Sequence, residues 1–450
     1  MCLWVQLLGM LRRSTRSVLA PTFGALACAG TVSAQIVVDS SAGLRLGQLY
    51  EQLRGSSPRI DAAAATARAA RARVAGASVL PDPQLQLGFM NRSLPTFVPM
   101  DVIGMTQLQL MQMIPTAGKL SLAGRAASAT AAAALERVDD VRWEQRSRVA
   151  MAFYDFYQAD RAVGIARTTK RLLQDVALTA QTMYAVGEGR QSDVLRAQVE
   201  IARMTADVVR MESMRATMAA RMLAALNLAV NAAPSARPIL PALPDSLPPL
   251  DSLVALAEQH RPMIRAGEHE LRAAEAGARL AEKEIWPDLQ VGVQYAWQRG
   301  VVRRVDQMGS LMIGATLPIH ARRRQLQMRE EGRAMQQMAQ SDLVAMRADT
   351  RGRVIEVYAD FTRARDLRTL YRSAVLPQAQ AAVTSSLAAY RVGDVNFMTL
   401  LDNQMTVNRY RQELLVLDAE LGKAVAELEM LSGRVLFDAN STARRDGGGS

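Results

Sequence analysis

The chain has 450 residues and a formal net charge of +11; 49% of the residues are hydrophobic but only 5% are aromatic. Long stretches of Ala, Leu, Met and Gln with scattered charges read as helices packed on helices rather than as two or three ordinary globular domains. No clustered Lys/Arg stripe with interleaved aromatics is present, which argues against nucleic acid as a partner. Both cysteines, Cys2 and Cys28, precede residue 35, so the rest of the chain has neither a disulfide framework nor a thiol nucleophile and suits an oxidising compartment.

Residues 1–34 have the grammar of an export signal. Arg12, Arg13 and Arg16 supply the basic region, Val18 to Ala29 the apolar region, and Val32-Ser33-Ala34 a small-x-small cleavage site before Gln35. The signal is complete from Met10, and Ala25-Leu26-Ala27-Cys28 is only an imperfect lipidation box. Loss of the leader lowers the charge to about +8.

From about Leu44 to Ser78 the pattern is helical, with Pro58 near a helix start. The period then changes to alternation at Leu85-Gln86-Leu87-Gly88-Phe89 and again at Gln107-Leu108-Gln109-Leu110. Past Pro115, at Gly118-Lys119, a helical pattern begins and runs to about Tyr184, roughly 100 Å at 1.5 Å per residue. Tyr184-Ala185-Val186-Gly187-Glu188-Gly189 is a tight interhelical turn: Gly supplies the φ > 0 position that stops one helix, and a short polar residue starts the next. The returning helix runs from Ser192 to about Leu228.

After a Pro-rich linker, Pro234 to Pro249, which is expected to pack on nothing obvious, the whole order returns. Leu250 to Ile285 is helical, with Pro262 placed as Pro58 is. Leu289 to Trp297 alternates strictly, Leu311 to Leu317 follows, and long helices run from Arg322 to Tyr390 and from Asn396 to Gly433. Tyr390-Arg391-Val392-Gly393-Asp394-Val395 repeats the first turn, and Pro81-Asp82 recurs as Pro287-Asp288; Pro115 and Pro318 match about three residues out of that register. The chain is therefore a duplication, 35–233 and 250–437, followed by a tail at 438–450 expected to be disordered.

In the third strand Leu289, Val291, Val293, Tyr295 and Trp297 share one face, while Gln290, Gly292, Gln294 and Gln298 share the other. A soluble sheet with one wet face would show this pattern. So would a membrane strand with lipid outside and water inside, flanked by the interfacial aromatics Trp286, Tyr295 and Trp297. Four strands cannot close a barrel, and open edges are not tolerated in lipid, so a membrane reading requires further copies; three would give twelve strands and room for a lumen. No helical stretch has 18 consecutive apolar residues, so the helices are expected to project into the periplasm. Turn backbone at Gly187, Gly189, Gly393 and Asp394 would then be what a partner protein can reach.

This ordered set, twice over across residues 44–435, resembles the TolC-like outer-membrane efflux proteins. The resemblance implies a mainly α chain of long antiparallel hairpins with four membrane strands, forming a homotrimer with a twelve-stranded barrel and an α-helical tunnel. It implies an outer-membrane location, a periplasmic adaptor and an inner-membrane resistance-nodulation-division pump, with no cofactor, bound metal or catalysis. It also implies a gate at the periplasmic tip, with Tyr390 matching the tyrosine, Asp193 its acidic partner and Asp402 a ring aspartate; Thr399 and Val395 depart from the pattern. Met113-Ile114-Pro115-Thr116-Ala117-Gly118-Lys119-Leu120 is similar to the subgroup that accompanies heavy-metal pumps. Two other readings remain at this stage, a channel for a protein-secretion transporter and a periplasmic coiled-coil spacer or adaptor without a pore.

Overall fold

The computed structural model describes residues 43–55, 57–90, 105–228, 237–299 and 305–437. Every described residue belongs to one unit, within Val38–Ser450. The expected leader, the tail at 438–450 and residues 234–236 of the linker lie outside the described residues.

Each half opens with two short helices. In the first these are α1 (Leu46–Gly55) and α2 (Pro58–Ala77); in the second, α5 (Leu250–His260) and α6 (Pro262–Lys283). Pro58 and Pro262 sit in the first turn of their helices, where a missing N–H costs nothing and the fixed φ suits the helix. Each half then carries two strands: β1 (Gln84–Met90) and β2 (Met105–Ile114), then β3 (Leu289–Arg299) and β4 (Val305–Ala315). The fourth strand thus begins earlier than its sequence pattern indicated and ends before Leu317.

The long hairpin of the first half is α3 (Lys119–Ala185) and α4 (Gln191–Ala225). Its counterpart is not identical. There α7 (Gln325–Leu370) gives way to a π-helical turn, Tyr371–Val375, before α8 (Leu376–Arg391) and the returning α9 (Phe397–Ser432). Pro377 explains the interruption: it cannot donate to the carbonyl one turn back and its ring crowds that carbonyl, so the chain widens there into the looser spiral. The first hairpin has no proline at the matching place, and α3 runs unbroken for 67 residues.

Packing follows the duplication. Leu46, Leu49, Tyr50 and Leu53 of α1 meet Val149, Phe153, Tyr154 and Phe156 of α3. Leu253 and Ala257 of α5 meet Val354, Val357 and Phe361 of α7. Both clusters are completed by α9, which contributes Ala419 and Ala426 to one and Leu421, Val425 and Leu428 to the other. Within the first cluster the Tyr154 ring occupies the space that a side chain at Gly422 would fill.

The linker was expected to pack on nothing. Its described part instead bridges Leu44 in parallel fashion, with Leu44 N–H donating to the Arg237 carbonyl and Ile239 N–H to that of Leu44, both at 2.9 Å. Leu240, Leu243 and Leu247 pack against the two cores. Apolar side chains between the prolines carry this contact, and prolines tolerate it because an extended strap needs few N–H donors.

The strands form one antiparallel sheet in the order β1-β2-β3-β4. Leu289 pairs with Ile114 and Gln298 with Met105, so the two halves are joined edge to edge through β2 and β3. Neither β1 nor β4 has a partner on its outer side among the described residues.

Candidate functional site

Three places carry the features that the sequence singled out: the sheet, its junction with the helices, and the hairpin tips. The register fixes the two faces of the sheet. On one lie Leu85, Leu87, Leu108, Leu110, Leu289, Val293, Tyr295, Leu311 and Ile313. These side chains are exposed, Ile313 by 74% and Leu311 by 68%, and no described helix packs across them. An uncovered apolar face of this extent is costly in water and favourable against hydrocarbon. Tyr295 and Trp297 lie on it, 5.7 Å apart between ring centroids, and Trp286, also exposed, stands at the entry to β3.

The opposite face carries Gln84, Gln86, Gln107, Gln109, Gln290, Gln294 and Ser310. Gln294 Nε2 donates to Gln107 Oε1 across the β2–β3 seam at 2.5 Å. All six methionines of the sheet, Met90, Met105, Met111, Met113, Met308 and Met312, are on this face. Met111 and Met312 lean over Gly292 from either side: a Cβ there would lie 3.1 Å from Met111 Cγ and 3.5 Å from Met312 Cε.

The junction brings together two motifs far apart in the chain, Pro287-Asp288 and the stretch from Met113 to Leu120. Lys119, in the first turn of α3, is 5% exposed. Its Nζ donates to the Trp286 carbonyl at 3.0 Å and to Asp288 Oδ1 at 2.9 Å, with Glu284 Oε2 at 3.5 Å. Asp288 Oδ1 also accepts the Thr116 N–H, and the Thr116 hydroxyl donates to the Pro287 carbonyl. A buried ammonium needs such complete pairing. The result pins the start of one half's long helix to the other half's strand entry.

At the tips, Gly187 and Gly393 adopt φ of +82° and +79°, as the paired turns require. In each turn the next N–H closes back across the helix end: Glu188 to the Met183 carbonyl and Asp394 to that of Ala389, both at 3.0 Å. Gly189 is required for a different reason, since a Cβ there would lie 2.7 Å from the Tyr184 nitrogen. Asn396 caps α9 by accepting from Thr399 N–H at 2.9 Å. In the first turn Arg190 stands at that position and no side chain caps α4.

Tyr390 is buried in a core shared by both hairpins, with Leu173, Val176 and Ala180 of α3, Ala197 of α4, and Phe397 and Leu400 of α9. Its ring meets Phe397 edge-on at 5.7 Å, and its buried hydroxyl has no hydrogen-bond partner among the described residues. Burial, followed by the nearby Asp193 carboxylate, raises the phenol above its ordinary value. Asp193 lies in the first turn of α4, where a negative charge complements the helix dipole. Thr399 and Asp402 are exposed, as are Gly187, Gly393 and Asp394 at the turns, whereas Gly189 is half-buried. No helix among the described residues is long and apolar enough to cross a membrane.

This combination, a duplicated pair of long hairpins joined to a sheet with one uncovered apolar face, defines an outer-membrane channel architecture. The sequence profile of the outer membrane efflux protein family matches residues 49–228 and 253–434, so the chain belongs to that family. Among solved structures, the outer-membrane channel OprN matches with a TM-score of 0.75 at 18% identity, over 86% of this chain and 89% of that one. The outer-membrane protein VceC of Vibrio cholerae gives 0.75 at 16% identity over 87% and 97%. CusC, whose structures concern folding and transmembrane channel formation, gives 0.72 at 16% identity over 87% and 92%. No curated protein matches significantly by sequence.

Proposed function

We propose that the protein is the outer-membrane exit duct of a tripartite efflux system. Three copies close a twelve-stranded barrel in the outer membrane, and their hairpins line a periplasmic tunnel. The observation that carries this reading is the uncovered apolar face, on a sheet whose two edge strands lack partners among the described residues: unpaired backbone groups in hydrocarbon cost several kcal/mol each, so such a sheet must be completed by other copies. A periplasmic spacer would have no use for that face.

The tips form the gate and the docking end. Tyr390 and Phe397 hold the second hairpin against the first, Asp193 and Thr399 stand beside that contact, and three Asp402 carboxylates face the pore, where they attract cations. The turns at Gly187, Gly189, Gly393 and Asp394 meet a periplasmic adaptor, which couples the duct to a resistance-nodulation-division pump in the inner membrane. The cargo is a soft metal cation. Methionine is apolar and would be at home against lipid, yet every methionine of the four strands shares the face that carries most of the glutamines, Gln112 and Gln307 lying on the other, and there thioether sulfur can meet passing copper(I) or silver(I).

Planar-bilayer recording tests the duct: purified protein is expected to give cation-selective conductance that silver ions reduce. Absence of conductance, together with release from cells in the periplasmic rather than the outer-membrane fraction, overturns the reading. Conductance indifferent to silver overturns the cargo alone.

A further inference from the structure

The duplication contains a template for the contact between copies. Within one chain, the strand that ends the first pair, β2, is joined to the strand that begins the second, β3. That joint sets Lys119, four residues past Pro115, against Asp288, which follows Pro287, at 2.9 Å. The outer edges repeat the situation. Strand β4 ends its pair as β2 does, and β1 begins its pair as β3 does. Asp82 follows Pro81 as Asp288 follows Pro287, and Arg322 lies four residues past Pro318 as Lys119 lies past Pro115.

The faces select the register. Positions on the apolar face are even-numbered in β2, Leu108 and Leu110, and odd-numbered in β4, Leu311 and Ile313. Superposing β2 on β4 therefore requires an odd shift, because an even one would set apolar side chains against the glutamine face. The prolines supply such a shift, from Pro115 to Pro318. Carried through the observed β2–β3 pairing, it sets Ala315 opposite Leu85, Ile313 opposite Leu87 and Leu311 opposite Phe89, apolar face to apolar face throughout. Asp82 and Arg322 are both exposed, and neither has an ion-pair partner among the described residues, whereas the equivalent pair inside the chain is closed, with Lys119 buried and Asp288 half-buried.

We propose that copies of this chain are joined by antiparallel pairing of β4 with β1 of the next copy in this register, locked at the helix junction by an ion pair between Arg322 and Asp82 of the partner subunit. The proposal rests on the reading of a closed ring of copies. It gives each copy one lock within itself, Lys119 with Asp288, and one to its neighbour, so three copies carry six similar joints around one ring. The second joint uses arginine where the first uses lysine; a fork of donors suits a site assembled from two chains, where either carboxylate oxygen can be met.

Two measurements test it in the full chain with Cys2 and Cys28 replaced by serine. With cysteines at Ile313 and Leu87, oxidation is expected to give covalent trimers on a non-reducing gel. Cysteines at Ile313 and Leu85, two positions out of register and beyond disulfide reach, are expected to stay unlinked; linking of the second pair instead of the first overturns the register. Asp82→Lys and Arg322→Glu are each expected to lower the temperature at which the trimer dissociates, and the double exchange to recover it. Single exchanges without effect, or a double exchange that does not recover, overturn the lock. Light scattering separates this from the ring itself: trimers that ignore the exchanges remove only the lock, whereas unmodified protein that forms no trimer removes the ring.

Discussion

Glu429 of α9 and Arg146 of α3, from different halves of the chain, form an ion pair at 3.2 Å around a carboxylate that is 1% exposed. Glu429 Oε1 accepts the Leu436 and Phe437 N–H groups, while the Arg146 guanidinium also stacks on the Tyr50 ring, 3.7 Å from its centroid. One acid thus ties three helices and the C-terminal strap together. Arg146→Ala leaves that carboxylate buried without its cation, and a loss of about 3–5 kcal/mol is expected from denaturant titration of the detergent-solubilised protein. Glu429→Gln, which removes the charge as well, should cost less.

The same acid gives a pH dependence of definite sign. Burial, outweighing the Arg146 charge and the two N–H donors, raises the Glu429 carboxyl above its ordinary value of 4.5. The folded state therefore holds this proton more tightly than the unfolded one. Its contribution is fully present below pH 4.5 and is lost as pH rises from there through the raised value. Melting temperature followed across that window should fall less with rising pH in Glu429→Gln than in the parent; equal slopes would contradict the assignment.

Gly422 and Tyr154 make a second close pair, since a Cβ at 422 would lie 2.2 Å from Cε1 and Cζ of the ring. Gly422→Ala should therefore expel or tilt Tyr154 at a cost of about 1–3 kcal/mol, as overpacking does. Combining it with Tyr154→Ala should cost less than the sum of the two single changes, read from thermal denaturation as a double-mutant cycle.

The two glycines of the first tip should fail differently. Gly187→Ala meets open space and only the left-handed backbone penalty of about 1–2 kcal/mol. Gly189→Ala drives a methyl into the backbone of Met183 and Tyr184, so it should break the 2.8 Å bond from Gly189 N–H to the Met183 carbonyl. Hydrogen exchange at Glu188 and Gly189 should quicken much more in the second variant than in the first.

Asp402→Ala is expected to reduce the preference of the open pore for cations over anions, measured by reversal potential across a salt gradient. An unchanged preference would remove Asp402 from the pore.

Much of the architecture could be read from residue order because its signals are local and doubled. Alternation at Leu289–Trp297, proline in the first turns at Pro58 and Pro262, and glycine at Gly187 and Gly393 each act within a few residues of themselves, and the repeat supplied a second copy of every sign. The π-helical turn before Pro377 was less visible, since a proline marks a break without saying how the chain absorbs it. The linker was misjudged because its Leu240, Leu243 and Leu247 have no periodicity that announces burial; only the cores they touch give them a role.

Sequence alone settled which elements exist, that they occur twice, and which side chains share a strand face, because backbone sterics and side-chain period are properties of neighbours in the chain. Tertiary structure decided which of those elements meet. That Lys119 closes on Asp288, that Tyr390 is buried between both hairpins, and that β2 rather than an outer strand receives β3 depend on residues far apart in sequence, and no local preference encodes a distance between them.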